Sequence, residues 1–148
     1  MLYKDATSGG AFVLNSNTTI SGTLVVKGDC TLSGSNVVIT AQQNFPALIV
    51  TGTLTLNQSK NSLTVNGICY VGNTVKTSGS APTQQSDYTT FNVNGSLLGG
   101  TTGSTTINTS TYNAYTTIKY DATKAKAPTL TSVQHAATGV SIVRWGLP

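Results

Sequence analysis

Apolar and polar residues alternate along much of this chain, and the alternation turns at glycines. A branched apolar residue, a polar residue, glycine, a variable residue and a small apolar residue follow one another in Ile20-Ser21-Gly22-Thr23-Leu24, Val50-Thr51-Gly52-Thr53-Leu54, Val65-Asn66-Gly67-Ile68-Cys69 and Val93-Asn94-Gly95-Ser96-Leu97. Val26-Lys27-Gly28-Asp29-Cys30 fits the same frame. On both sides of each glycine the apolar residues alternate with Ser, Thr or Asn, the period of two expected of a strand with one buried face. The glycine then marks a corner. Repetition of a strand-corner-strand unit predicts a stack in which each unit buries its apolar face against its neighbours.

The pattern places short strands at residues 12–14, 18–20, 23–26, 30–32, 37–40, 47–50, 53–56, 62–65, 68–71, 89–93, 96–98, 105–107 and 116–120, with Gly, Asn or Ser in nearly every break. Residues 77–88 have no apolar period and read as a loop inserted between coils. From Asp121 the pattern changes, and one last strand is expected over 139–145. The four clean copies space their glycines by 30, 15 and 28 residues, which suggests a coil of 28 to 30 residues or half of one. The fold expected is all-β, a single-stranded parallel β-helix (β-solenoid) over residues 1–120, with 121–148 as a C-terminal capping segment packed on it. Its rival is an antiparallel sandwich or meander, because Asn66-Gly67 and Asn94-Gly95 are also hairpin signals. Ser-Gly, Thr-Gly and Lys-Gly in the other copies suit a hairpin turn less well.

Composition narrows the picture. Hydrophobic residues make up 38% and charged residues 8% of 148, and no long run of helix formers occurs, so one nearly all-β domain is expected. The net charge of +4 comes from scattered cations with only Lys119, Lys124 and Lys126 near one another, which is no nucleic-acid footprint. High Thr, Ser and Asn content with few charges resembles proteins exposed outside the cell. No apolar run approaches the ~20 residues needed to span a bilayer, so no membrane contact is expected of this segment. Met1-Leu2-Tyr3-Lys4-Asp5 is no signal peptide, and an export or anchoring segment is expected to belong before it.

Candidate chemistry is sparse. Glutamate is absent, and Asp5, Asp29, Asp87 and Asp121 are far apart in sequence, which starves acid-base, glycosidic and calcium chemistry of the paired carboxylates they need. His135, the one histidine, has no nucleophile motif beside it and is expected at the surface. Neither an enzyme nor a cofactor is expected. Cys30 and Cys69 each follow a pattern glycine by two residues, which predicts equivalent positions on one face. They are either a disulfide worth roughly 3–4 kcal/mol or two small buried residues in an internal ladder. Tyr112, Tyr115, Tyr120 and Trp145 are either a stacking surface for a sugar or a protein, or a cover for the open end of the solenoid.

Asn44-Phe45-Pro46-Ala47-Leu48-Ile49-Val50-Thr51-Gly52-Thr53-Leu54-Thr55-Leu56, followed by Ser62 to Gly72, resembles the β-solenoid region of bacterial PilX-like, pilus-assembly-associated prepilin proteins. Val93 to Gly100, Thr117 to Asp121 and the late Trp145 are similar to that family's closing coils and tail, so the likeness covers about residues 44–148. A bactofilin-type solenoid is a weaker resemblance. The first resemblance implies a non-enzymatic, extracellular or cell-surface module, structural or adhesive, whose partners are pilus or other surface proteins or further copies of itself. The alternatives are a carbohydrate-binding module that takes a glycan and a self-assembling, bactofilin-like cytoskeletal solenoid.

Overall fold

The structure, a computed structural model, describes residues 1–58, 60–80, 82–99, 106–108 and 115–124. The chain forms a parallel β-solenoid of about four turns. Its strands are β1 (Leu2–Ala6), β2 (Phe12–Leu14), β3 (Thr19–Ser21), β4 (Leu24–Gly28), β5 (Cys30–Leu32), β6 (Val37–Thr40), β7 (Leu48–Val50), β8 (Leu54–Asn57), β9 (Ser62–Val71), β10 (Thr74–Ser78), β11 (Thr90–Gly99), β12 (Thr106–Asn108) and β13 (Tyr115–Tyr120). Every strand pairing among the described residues is parallel, which disposes of the hairpin reading.

Pairing sorts the strands into three faces. Face A holds β1, β4, β7 and the second halves of β9 and β11; face B holds β2, β5, β8, β10 and β12; face C holds β3, β6, the first halves of β9 and β11, and β13. The chain visits them in the order A, B, C. Inside, like stacks on like: Leu24, Leu48 and Cys69 form one column, Val26, Val50 and Val71 a second, Ile39, Val65 and Val93 a third, all fully buried. Phe91, over Leu63, is the largest of these buried side chains.

The five glycine copies do not share one corner. Gly22, Gly67 and Gly95 lie where face C gives way to face A, whereas Gly28 and Gly52 lie between A and B. The 28-residue interval from Gly67 to Gly95 is therefore one true coil, because these two stack in register. The intervals of 30 and 15 connect different corners. Stacked positions are 18 residues apart from Phe12 to Cys30, 24 from Cys30 to Leu54, 21 from Leu54 to Val75 and 32 from Val75 to Ile107. Coil length varies because the corners differ: residues 41–47 bulge at one, and 79–89, with a single 3-10 turn at Gln85–Asp87, at another. Lys60 ties this second insertion down, its Nζ lying 2.9 Å from Asp87 Oδ1 and its N–H donating to the Asp87 carbonyl at 2.9 Å.

At Gly67 and Gly95 the expected breaks between strands are not breaks. β9 runs through Gly67, its first half paired with β6 and its second with β7, so one strand serves two faces. Backbone φ is 137° at Gly67 and 151° at Gly95, and a Cβ on Gly95 would strike the Gly67 carbonyl. Only glycine turns this corner without strain. Polar ladders run up the outside of the corners. Asn94 Nδ2 donates to Asn66 Oδ1 at 2.9 Å and Asn66 Nδ2 to Thr40 Oγ1 at 3.1 Å, while Ser78 Oγ donates to Asn57 Oδ1 and Asn57 Nδ2 to Ser33 Oγ.

Two strands are additional to the sequence reading, β1 and β10. The expected loop over 77–88 begins later, because β10 carries Thr77 into the interior at 7% exposure. Of the C-terminal cap over 121–148 only Asp121–Lys124 falls within the described residues, and the strand expected over 139–145 lies outside them.

β1 ends the sheet of faces A and C among the described residues. Register sets Lys4 over the fully buried Val26, on the core-facing side, and its ammonium lies 5.9 Å from the centre of the Phe12 ring. An inward-pointing charge at a terminal strand opposes pairing with a further strand, and the aromatic ring holds that charge in place. Replacement Lys4→Leu should extend the apolar columns to the end of the stack. Sedimentation velocity is expected to show self-association rising with concentration more steeply in this variant than in the parent chain, with Lys4→Gln in between.

Candidate interaction face

The interior of face A resembles that of the other two, but its exterior does not. On face C the solvent-facing positions stack as Thr19, Val38, Thr64, Asn92 and Thr117, and beside them Ser21, Thr40, Asn66, Asn94 and Lys119. On face B the outer column runs Val13, Thr31, Thr55, Lys76. On face A it is Tyr3, Val25, Ile49, Tyr70 and Leu98, one per strand in unbroken register. Tyr3 and Leu98 are 53% and 47% exposed and the three between them half-buried, so these side chains present an apolar stripe to solvent.

The cause is visible in the strands themselves. On face B β5 and β8 alternate, as Cys30-Thr31-Leu32 and Leu54-Thr55-Leu56, and continuous triplets stand singly on faces B and C, Phe12-Val13-Leu14 and Val37-Val38-Ile39, whereas on face A three successive strands are continuous: Leu24-Val25-Val26, Leu48-Ile49-Val50, Cys69-Tyr70-Val71. A parallel strand that is apolar on both sides is the pattern of a sheet covered on both faces. Ile68 widens the stripe toward the corner from which the 41–47 loop projects, where Phe45 is 59% exposed. On the opposite margin Asp5 and Lys27 pair at 3.3 Å. Thr7 donates its hydroxyl and N–H to Asp5 Oδ1, and these bonds, with Lys27, hold the Asp5 carboxyl down to about 2.

The remaining carboxylates are occupied separately. Asp29 Oδ1 accepts the Thr53 N–H at 2.8 Å; Asp87 is held below its ordinary range by Lys60, and Asp121 by Thr123 and then by Lys124 at 3.6 Å. No group of three or more His, Cys, Asp or Glu side chains gathers among the described residues. A shallow cleft of ≈ 270 Å³ opens between Thr40–Asn44, Asn66 and the Thr123-Lys124 turn, and no carboxylate lines it. No helix among the described residues is long and apolar enough to cross a membrane.

Cys30 and Cys69 do not share a face. They follow glycines at different corners, so Cys30 stacks between Phe12 and Leu54 on face B and Cys69 between Leu48 and Leu97 on face A, with a full coil between theirs. Both are buried with free thiols. Of the aromatic quartet, Tyr112 and Trp145 lie outside the described residues. Tyr115 opens β13, and Tyr120 ends it over Gly95 with 72% of its surface exposed. His135 also lies outside the described residues.

The chain matches no known protein family, no curated protein and no solved structure. Its functional reading rests on the residues themselves.

Burial pushes the Cys30 and Cys69 thiols up to about 12, since the thiolate is the form that loses solvation. Both therefore stay protonated through pH 7–9, where an exposed thiol would begin to ionise. Iodoacetamide at pH 8.5 is expected to leave the folded chain unlabelled and to modify both cysteines in denaturant without prior reduction; a requirement for reductant would show a disulfide instead.

Beneath the 79–89 insertion, Gln58 is 7% exposed and neither its Oε1 nor its Nε2 has a hydrogen-bond partner. Its neighbours Asn61 and Thr89 donate instead to the Asn57 carbonyl, at 2.9 and 2.7 Å. A buried polar group without a partner costs about 1–3 kcal/mol. Gln58→Leu is expected to raise the free energy of unfolding by about 1 kcal/mol, read as a higher urea midpoint at unchanged slope.

Proposed function

We propose that this chain is a non-enzymatic structural module, a rigid solenoid rod that adheres to a partner protein through face A. The observation that carries the reading is the outer column of Tyr3, Val25, Ile49, Tyr70 and Leu98, an apolar stripe on a body whose other two faces are mainly polar. The stripe is narrow, and what supports a contact surface is its unbroken register of apolar side chains on an otherwise mainly polar body. Each carboxylate is committed to a local cation or backbone group, which supports a binding role over acid-base chemistry. The sparse charge, the Thr/Ser/Asn-rich surface and the resemblance to pilus-associated prepilins support a place at the cell surface, with a pilus or surface protein as partner.

A photo-crosslinking amino acid placed at Ile49 in the cells that make the protein tests this. Discrete adducts are expected from position 49, and none from Thr64 on face C or Thr55 on face B. Equal labelling from all three positions, or none from position 49, would remove face A as the adhesive surface.

A further inference from the structure

The inference made here rests on the reading of face A as a docking surface and concerns what docks there. We infer that the occupant is an amphipathic α-helix of a partner protein, lying along the solenoid axis across β1, β4, β7, β9 and β11. The stripe supplies one apolar side chain per strand. Neighbouring strands are about 4.8 Å apart, so its five members extend over about 19 Å. A helix rises about 5.4 Å per turn and needs about 13 residues to cover that length. Its side chains at i, i+3 or i+4, and i+7 then fall between successive members of the column, as apolar anchors of a docked helix do.

Width makes the same selection. β7 is a strand of three residues, about 10 Å long, and a helix with its side chains is about 10–12 Å across. A helix therefore covers Val25, Ile49 and Tyr70 while the Asp5–Lys27 pair at the margin, whose side chains are 44% and 54% exposed, keeps its water. A second sheet laid over the face would extend onto this pair and desolvate it, at a cost in free energy.

A second copy of the chain fits poorly for another reason. The footprint of the stripe is about 200 Å², against the roughly 800 Å² per partner of a stable protein pair. Face A is too narrow to hold a dimer by itself. It is suited to a partner that is anchored elsewhere or presented in many copies, for which a weak contact suffices. An added strand would pair with the backbone edge of the sheet at β1 and would not lie across the outward side chains of Val25, Ile49 and Tyr70, so it is not the occupant of the stripe.

The test uses the 148-residue chain and three synthetic 18-residue peptides of identical Leu, Ala and Gln composition. One spaces Leu at i, i+3, i+4 and i+7, one alternates Leu with polar residues, and one is scrambled. Titration followed by amide chemical shifts is expected to move Val25, Ile49, Tyr70 and Leu98 with the helical peptide, at a dissociation constant on the order of 0.1–1 mM. Ile49→Thr, which keeps a β-branched residue in the strand, should weaken this binding at least tenfold, and the double variant Ile49→Thr/Tyr70→Thr should abolish it; Thr64→Val on face C should leave it unchanged. Equal response to the alternating or scrambled peptide overturns the inference, as does a response that maps elsewhere. An Ile49-dependent dimer in sedimentation would overturn it in favour of a second copy. If position 49 still crosslinks in cells while the helical peptide does not bind, the helix is wrong and the docking face stands. If position 49 gives no adduct either, both fail.

Discussion

Parallel, in-register stacking is the constraint on which everything else in this molecule depends. Each strand gives its backbone hydrogen bonds to the coil above and the coil below, so no coil is complete alone. The same stacking repeats side chains: Leu24 on Leu48 on Cys69, and Ile39 on Val65 on Val93. A choice made at one position is imposed on the whole column. Inside, the result is a dry core of Leu, Val and Ile; at the corners, ladders such as Asn94 to Asn66 to Thr40. Insertions are admitted only where they leave the columns undisturbed. The 41–47 and 79–89 segments both leave from corners, and the strands on either side resume in register.

This constraint explains why the fold was legible in the sequence and where legibility stopped. Alternation of apolar with Ser, Thr or Asn gave β5, β8 and the face C halves of β9 and β11, short apolar runs gave β2 and β6, and β2, β5 and β6 stand at the bounds expected of them. β1 escaped because Leu2-Tyr3-Lys4-Asp5-Ala6 has no period of two: Lys4 takes a core-facing place that its chemistry disguises. β10 escaped because Thr77 does the same one coil above Leu56. The glycine frame was real but degenerate. Two corners of the coil both need a residue that turns sharply beside another backbone, so one five-residue pattern served both, and spacing alone could not separate an advance along the coil from a full turn. Cys30 and Cys69 looked equivalent for this reason.

The interaction face was in plain view as three apolar triplets, Leu24-Val25-Val26, Leu48-Ile49-Val50 and Cys69-Tyr70-Val71. Each reads as an ordinary buried strand, since a short apolar run does not announce which of its residues faces out. Only the register shows that Val25, Ile49 and Tyr70 fall in one column and that this column is on the outside. The chemistry-bearing residues singled out from sequence were chosen by type, and stacking does not gather them: the aspartates stand in separate local pairs.

A stacked coil has two kinds of surface through which it can associate, its ends and its sides, and the sequence treats them oppositely. In β1, the terminal strand among the described residues, Lys4 takes the register position over Val26 with its ammonium near the Phe12 ring, a charge where a neighbouring coil would have to place an apolar residue. Along face A the outer column omits the polar residues that faces B and C carry at all equivalent places but Val13 and Val38, although Thr in place of Val25 or Ile49 would preserve the strand. Stability of the isolated solenoid does not require this, because the interior columns of face A are already filled by Leu24, Leu48, Val26 and Val50. The apolar stripe is thus surplus to folding, while Lys4 sets a charge in the register of the core column at β1. Both departures from the repeat point the same way, to a rod that engages its partner side-on.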